Sequence, residues 1–301
     1  MNLKVRKADP DKNIALCIYG RDGVGKSSFG AKFPNPLFVG PEIEGADFLT
    51  DIDGNPVTLV EESMNYQGLM STIDELIEND HEYKTLVLDS IDWVETEIQD
   101  MIKTKYKVEN LNDAAGGYGG GYRESFEMQV ELMKKLLKLK KKMNIITVAH
   151  STQGKVNDSM LQVEYMKTDL KIHESNNISP RAMWREAFDA VVLIDQEVTV
   201  ETENNKVKTE FNNERILRFE GTERFAAKNR WPGFPREIKF SESEDIFSII
   251  KNYISKDFYK EAMALYEEFG LDKPKLKEYI EQNKTDKTKL IAVVKRIKKG
   301  E

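Results

Sequence analysis

Gly20-Arg21-Asp22-Gly23-Val24-Gly25-Lys26-Ser27 matches G-x-x-x-x-G-K-[ST] at every fixed position, and it stands between an apolar run, Ile14 to Tyr19, and an amphipathic segment. Strand, glycine-rich turn and helix start in that order make a phosphate-binding loop. The glycines let the backbone wrap an anion so that successive N–H groups point inward, and Lys26 offsets the charge of the β- and γ-phosphates. The nucleotide-binding set read from this stretch is Gly20, Asp22, Gly23, Val24, Gly25, Lys26, Ser27 and Ser28. The Ser27 hydroxyl is also a ligand for Mg²⁺. Its partner is expected in Thr85-Leu86-Val87-Leu88-Asp89, an apolar strand that delivers the Asp89 carboxylate at its carboxyl end. The chemistry is that of a nucleoside triphosphate bound with Mg²⁺.

Two other stretches imitate guanine-nucleotide signatures. Asp51-Ile52-Asp53-Gly54 reads D-x-x-G and Asn283-Lys284-Thr285-Asp286 reads N-K-x-D. The first would duplicate the metal-side carboxylate that Asp89 supplies. The second follows Glu281-Gln282 rather than a buried strand, and a helix break with its cap explains it. ATP is the expected nucleotide.

The loop has to be held by a sheet. Strands are expected at Ile14 to Tyr19, Pro36 to Val39, Thr85 to Asp89, Asn144 to Ala149 and Ala190 to Asp195. Residues 26–33, 66–79, 90–105, 123–142 and 179–188 carry apolar residues at helical spacing, the last opened by Ser179 and Pro180. This alternation predicts the α/β class, a mostly parallel sheet covered on both faces. From Gln196 to Phe219 the pattern changes to VTVETE and ERILRFE around Asn204-Asn205 and Asn212-Asn213, which predicts an antiparallel extension. Residues 256–300 read as wholly helical. Phe258, Ala262, Leu265 and Phe269 form one apolar stripe there, Gly270 is a C-cap candidate, and helices follow at 273–282 and 286–298. The organisation expected is a core over 1–255 and a small helical domain over 256–301. The basic run from Lys134 to Lys142 reads as a solvated helix C-terminus.

Composition narrows the classes. The chain has 301 residues, 40% hydrophobic and 32% charged, enough for a buried core and unlike disordered or fibrous chains. The longest apolar runs reach six residues, such as Ile14 to Tyr19, against about 20 for a bilayer span, so no membrane association is expected. The charged start, MNLKVRKADPDKN, has no apolar signal core, and the lone Cys17 cannot form an internal disulfide; the cytoplasm is the expected compartment. Residues 256–301 hold 12 Lys and Arg against 9 Asp and Glu, net +3, which leaves 33 against 43, net −10, for the rest. Any polyanion site must be a local groove or loop.

The order of landmarks resembles the RecA-like ATPase core, and more closely the small phage ATP-binding proteins that include Sak-type single-strand annealing recombinases. It covers roughly residues 13 to 240 and rests on GRDGVGKSSF, PLFVGPEIEG, YKTLVLDSIDW, GGYGGGY, ITVAHS, RAMWREAFDAVVL and FAAKNR. The resemblance implies that an acid after the second strand polarises the attacking water; Glu42 is the first choice and Glu44 its rival. It places His150, at the end of the ITVAH strand, as a sensor of the γ-phosphate. His81 and His173 read as surface residues. Lys228 and Arg230 in Lys228-Asn229-Arg230 would reach the nucleotide of the adjacent subunit, making hydrolysis depend on a head-to-tail homo-oligomer, filament or ring.

The same resemblance implies two loops directed at single-stranded DNA, near 107–123 and 151–176. The first offers Tyr118, Tyr122 and Arg123 among glycines, and the second offers Lys155, Tyr165, Lys167 and Lys171. The helical tail is a candidate contact for a single-strand-binding protein. The function expected is an ATP-dependent, single-strand-DNA-binding recombination protein hosted in the cytoplasm of a phage-infected cell. The rival is a nucleotide-dependent switch that acts on a protein partner through the tail and touches no DNA.

Overall fold

The computed structural model describes residues 5, 9, 11–158, 163–175, 178–203, 206–255, 257–269, 273–284 and 287–299. In chain order the elements begin with β1 (Ala15–Gly20), α1 (Lys26–Ala31), β2 (Pro36–Val39), β3 (Thr58–Leu59), α2 (Tyr66–Glu78), β4 (Thr85–Leu88), α3 (Ile91–Tyr106) and α4 (Gly120–Leu139). They continue with β5 (Asn144–Asp158), β6 (Val163–Leu170), α5 (Pro180–Ala187), β7 (Ala190–Glu203), β8 (Lys206–Arg218), β9 (Lys228–Asn229) and β10 (Glu237–Phe240). The C-terminal helices are α6 (Ile246–Ser255), α7 (Phe258–Glu268), α8 (Pro274–Gln282) and α9 (Lys287–Lys299).

Strand β1 is buried from end to end because parallel partners flank it, β5 on one side and β7 on the other, and helices cover both faces. The sheet order is β10-β8-β7-β1-β5-β4-β2-β3, with β6 added to β5 and β9 to β7. Strands β3, β2, β4, β5, β1 and β7 run parallel, and the additions are antiparallel. The expected α/β architecture is what forms. Alternate residues of β1 divide between the faces: Ala15, Cys17 and Tyr19 join the apolar core under α2, α3, α4 and α5. On the other face α1 sets Phe29 and Phe33 edge-on to Phe240 and Phe247.

One feature of this order positions the site. Strand β5 lies between the strand that carries the phosphate loop and the strand that carries Asp89. Its parallel register with β1 sets Gly20 opposite His150, so the last residue of β5 that pairs with β1 falls between loop and carboxylate.

A buried polar chain ties the helices of the first face. Trp184 Nε1 donates to Gln129 Oε1 at 2.9 Å, Gln129 Nε2 donates to Glu95 Oε1 at 3.0 Å, and the His173 backbone N–H donates to Glu95 Oε2 at 2.9 Å. Burial pushes the Glu95 carboxyl above its ordinary pKa against these bonds. A Gln129→Leu substitution is expected to destabilise the protein by about 2 kcal/mol, since it orphans a buried indole N–H and a carboxylate oxygen. Urea unfolding reads this as a lower midpoint, and an unchanged midpoint would contradict the assignment.

Several local expectations change. Residues 151–176 were expected as a loop, yet β5 runs on to Asp158 and pairs antiparallel with β6 as a two-stranded ribbon. The ribbon pairs Val156 with Tyr165 and Lys155 with Met166, and Met166 is half exposed, so the period-two pattern of a strand with one buried face is muted. Residues 159–162 and 176 of that second loop lie outside the described residues. Asn212-Asn213 is not a turn. It lies in β8 where the register against β7 shifts between Gln196 and Val198, a bulge. Asn204-Asn205 and Gly270 fall outside the described residues. The basic run ending α4 is bonded rather than merely solvated: Lys140 pairs with buried Asp189 at 2.5 Å, and Lys142 donates to the Asn79 carbonyl.

The chain divides into two compact units. One comprises Lys12–Asn229 with Arg236–Phe247, and the other comprises Met1–Asp11, Arg230–Pro235 and Ser248–Glu301. Within the second, Phe258, Ala262 and Leu265 of α7 pack with Ile280 of α8 and with Leu290, Val293, Val294 and Ile297 of α9. Phe269 of the expected stripe is exposed.

Candidate functional site

The phosphate loop follows β1 directly. Gly20 approaches β7 so closely that a Cβ there would lie 2.5 Å from the Ile194 carbonyl oxygen, and Gly25 has φ +99°, a left-handed conformation that favours glycine. Lys26 and Ser27 open α1. Lys26 is buried and its Nζ donates to the Arg21 carbonyl at 3.0 Å. Burial lowers its pKa, while Asp89, Asp22, Asp92 and Glu42 act in the opposite sense. An ammonium held dry beside four carboxylates is poised for a polyanion.

Asp89 directly follows β4 and is 5% exposed. Its Oδ2 accepts the Ser27 hydroxyl at 2.5 Å, and the peptide to Ser90 is cis. Burial raises the Asp89 pKa from 3.8 to about 6, against the Ser27 bond. A buried carboxylate joined to a hydroxyl is a hard-oxygen pair of the kind that holds Mg²⁺, which takes one or two carboxylates and completes its shell with water and substrate phosphates. Among the described residues no group of three His, Cys, Asp or Glu side chains could hold a metal alone, so the donor set fits a cation that arrives with a polyphosphate.

Glu42 and His150 complete the cluster. The Glu42 backbone N–H donates to the Asp89 carbonyl at 3.0 Å, and its Oε2 accepts the Ser90 hydroxyl. That oxygen lies 3.8 Å from His150 Nδ1. Glu44 sits one step into a tight helical turn, Ile43–Ala46, and is exposed. The structure therefore brings Glu42 to the site and leaves Glu44 outside it. His150 Nε2 is 3.3 Å from Asp22 Oδ1, at the mouth of the phosphate loop.

Asp92 was missed by the sequence reading. Its Oδ1 accepts the His150 backbone N–H at 3.0 Å and its Oδ2 lies 2.8 Å from His150 Nδ1, so one buried carboxylate orients both the strand end and the ring. Burial works to raise the Asp92 pKa, but the bonds and charge of His150 outweigh it and leave it below 3.8; His150 is raised above 6.5 chiefly by its bond to Asp92. The raised histidine contributes stability below pH 6.5 that is lost as pH climbs through its folded value. The lowered aspartate contributes stability above pH 3.8 that is lost as pH falls through its folded value. His150→Gln is expected to cost most between about pH 4 and 6.5 and less as pH climbs through the folded value of His150, read by urea unfolding across pH. A cost independent of pH would contradict the pairing.

The residues expected at DNA are placed less uniformly. Tyr118 is fully exposed, with φ +53°, in the turn before α4. Tyr122 and Arg123 belong to the first turns of α4 rather than to a loop, because Gly120 and Gly121 pack so tightly that a Cβ on either would strike the carbonyl of Ala115 or Leu111. Arg123 is exposed, while Tyr122 stacks on His173 at 4.4 Å between centroids. His173 is thus half-buried rather than a surface residue. Lys155 and Lys167 lie on opposite faces of the β5–β6 ribbon, and Lys155 pairs with Glu164 at 3.3 Å. Lys171 lines a cavity of about 390 Å³ with Trp93, Thr96, Gln99, Thr152, His173 and Arg181, and Asp92 forms part of its wall. Trp93, 45% exposed, was not singled out from the sequence. A Trp after a metal-side aspartate, at an exposed helix position, was the available signal.

Lys228 lies in β9 opposite Val191, and its Nζ donates to the Glu186 carbonyl at 3.0 Å. It shares a cavity of about 340 Å³ with Lys167 and Arg185, away from Lys26, Asp89 and His150. Arg230 is exposed and falls in the second compact unit. The guanine-type decoys have structural roles: the Asp51 carboxylate accepts the N–H groups of Asp53 and Asn55, and Asn283 ends α8. Thr285 and Asp286 lie outside the described residues.

A second cation reaches the loop from the antiparallel extension, where no functional residue was expected. Arg215 of β8 lies against Gly25, where a Cβ would come within 2.8 Å of the guanidinium carbon, and it pairs with Glu242.

A family model described as an AAA domain matches residues 12–231. No curated protein matches the chain. No helix among the described residues is long and apolar enough to cross a membrane.

Proposed function

The chain belongs to the AAA-domain family of P-loop ATPases, and from that premise we propose that it is an ATP-dependent, single-strand-DNA-binding recombination protein with a RecA-like core, of the phage annealing type. The observation that carries the reading is the convergence of Lys26, Ser27, Asp89, Glu42 and His150 at the carboxyl ends of β1 and β4 and the point where β5 leaves β1.

Lys26 and the loop N–H groups bind the β- and γ-phosphates, and Ser27 with Asp89 holds Mg²⁺. The metal supplies charge neutralisation on the transferring phosphoryl group. Glu42, oriented by the Ser90 hydroxyl, accepts a proton from water aimed at the γ-phosphorus. His150, held by Asp92 and next to Asp22, registers whether that phosphate is present.

DNA would bind beside this sensor. Exposed Trp93 and Tyr118 offer stacking faces worth about 1 to 3 kcal/mol per base without sequence preference, and Lys171 and Arg123 offer cations. Asp92 bonds His150 and walls the Trp93–Lys171 cavity, so one carboxylate stands between the nucleotide site and the proposed DNA site. Lys228 and Arg230 would complete the site of a neighbouring copy in a head-to-tail assembly, and the helical tail would receive a single-strand-binding protein.

The test is fluorescence anisotropy of labelled single- and double-stranded oligonucleotides with the full chain, in ATP-Mg²⁺, ADP and no nucleotide, at two salt concentrations. Salt-sensitive binding of single strands that needs ATP, and that is lost in Lys26→Ala and weakened in Trp93→Ala, is the expected result. ATP hydrolysis without DNA binding under any condition would overturn the recombination reading and favour a switch acting on a protein partner.

A further inference from the structure

Arg215 reaches the phosphate loop from the side opposite the hydrolytic residues. Asp89 directly follows β4 and His150 stands on β5, whereas Arg215 stands on β8, which the sheet order puts beyond β7 on the other flank of β1. Directly before it, residues 212–214 bulge against β7, the kind of irregularity that re-aims a side chain. The guanidinium ends on Gly25, the residue before Lys26, at a distance that no Cβ could share. Glu242, just past β10, pairs with it, and the Arg215 guanidinium is the chief cause that holds the Glu242 carboxyl below its ordinary pKa, with a smaller contribution from Ser28. Arg215 therefore stands against the loop at Gly25 with Glu242 as its counter-ion.

The pair is half open to water, with side chains 25% and 48% exposed. An ion pair so placed is worth little in itself, because water screens it and ordering two long side chains offsets the attraction. A polyphosphate carries more charge than one carboxylate and offers a guanidinium fork the same two-pronged geometry. The γ end of the nucleotide is assigned to the flank of Asp22, Glu42 and His150, which leaves the nucleoside end for the flank of Arg215.

We infer that Arg215 is a ligand for the α- and β-phosphates of the nucleotide, and that Glu242 holds it over the loop until those phosphates replace the carboxylate. The inference rests on the ATP reading of the loop and adds a residue to it. Arg215 binds ATP and ADP alike, because both carry the phosphates it meets. Glu242 competes with them, so it sets affinity in the opposite direction.

Isothermal titration of ADP and ATP with Mg²⁺ into the full-length wild type, Arg215→Ala and Glu242→Gln tests this. Arg215→Ala should weaken both nucleotides by a similar factor of about ten or more. Glu242→Gln should tighten both about threefold or more, since it removes the competitor and keeps the cation. Equal weakening by both variants would make the pair a structural strut and overturn the inference. So would unchanged binding in Arg215→Ala, or weakening of ATP alone, which would move the guanidinium to the γ end. If Arg215→Ala does not fold, the sign of the Glu242→Gln effect decides. Wild type that binds neither nucleotide would instead defeat the ATP reading, whereas failure of the variants beside a competent wild type defeats only this assignment.

Discussion

Glu42→Gln is expected to lower kcat for ATP hydrolysis about 10³-fold, within the range that a positioned general base supplies, while ATP binding stays within a few-fold of the wild type. The substitution is nearly isosteric. It keeps an oxygen for the Ser90 hydroxyl and the backbone bond from Glu42 to Asp89, so the loop should retain its shape. It removes the capacity to take a proton. Glu44→Gln is the matched control: its side chain is exposed in the Ile43–Ala46 turn, and hydrolysis should be unaffected. Steady-state phosphate release with equilibrium ATP binding on both variants checks this, and loss of turnover in Glu44→Gln rather than Glu42→Gln would reverse the assignment.

Asp89→Asn is expected to move two readouts in opposite directions. Hydrolysis should fall by at least about 10²-fold, because an amide is a poor ligand for Mg²⁺ and the phosphoryl charge goes unneutralised. The nucleotide-free protein should become more stable at neutral pH. The sign follows from the raised pKa: Asp89 binds its proton more tightly folded than unfolded, so its contribution is favourable below pH 3.8 and is lost as pH rises through about 6. At pH 8 the buried charge costs on the order of 2 to 3 kcal/mol, from about 1.4 kcal/mol per pKa unit, and the amide does not incur it. The variant should therefore gain on the wild type between pH 4 and 6 and hold that gain above. Thermal unfolding across this range would show it, and a variant less stable than the wild type at pH 8 would contradict the electrostatic account. Mg²⁺-ATP should stabilise only the wild type. This pattern, stability given up at a carboxylate that a metal later neutralises, is common at functional sites.

Much of the fold was legible because its signals are local. The six apolar residues before Gly20 can only be a buried strand, and the sequence from Gly20 to Ser27 pins the loop. The parallel order followed from strands alternating with helices, since such strands need crossover connections. The β5–β6 ribbon was not legible, because two paired strands with exposed side chains on both faces carry no steady alternation, and their hydrogen bonds leave no mark on residue type. The start of α4 was misplaced for a related reason: a glycine run reads as a loop, whereas here the absent side chains let the helix begin against the Leu111–Ala115 backbone.

The site divides along the same line. By itself the sequence determined that the chain carries a phosphate loop with Lys26 and Ser27, that Asp89 directly follows one apolar strand segment, and that one histidine, His150, directly follows the apolar run to Ala149; each is a property of neighbours along the chain. Only the tertiary structure decided that Glu42 rather than Glu44 faces them, that Asp92 holds His150, and that Arg215 stands against Gly25 with Glu242 as its counter-ion. Those choices turn on a tight turn at Ile43, on the register between β1 and β5, and on a bulge in β8. A one-residue change in any of them would send the same side chains elsewhere without altering a motif.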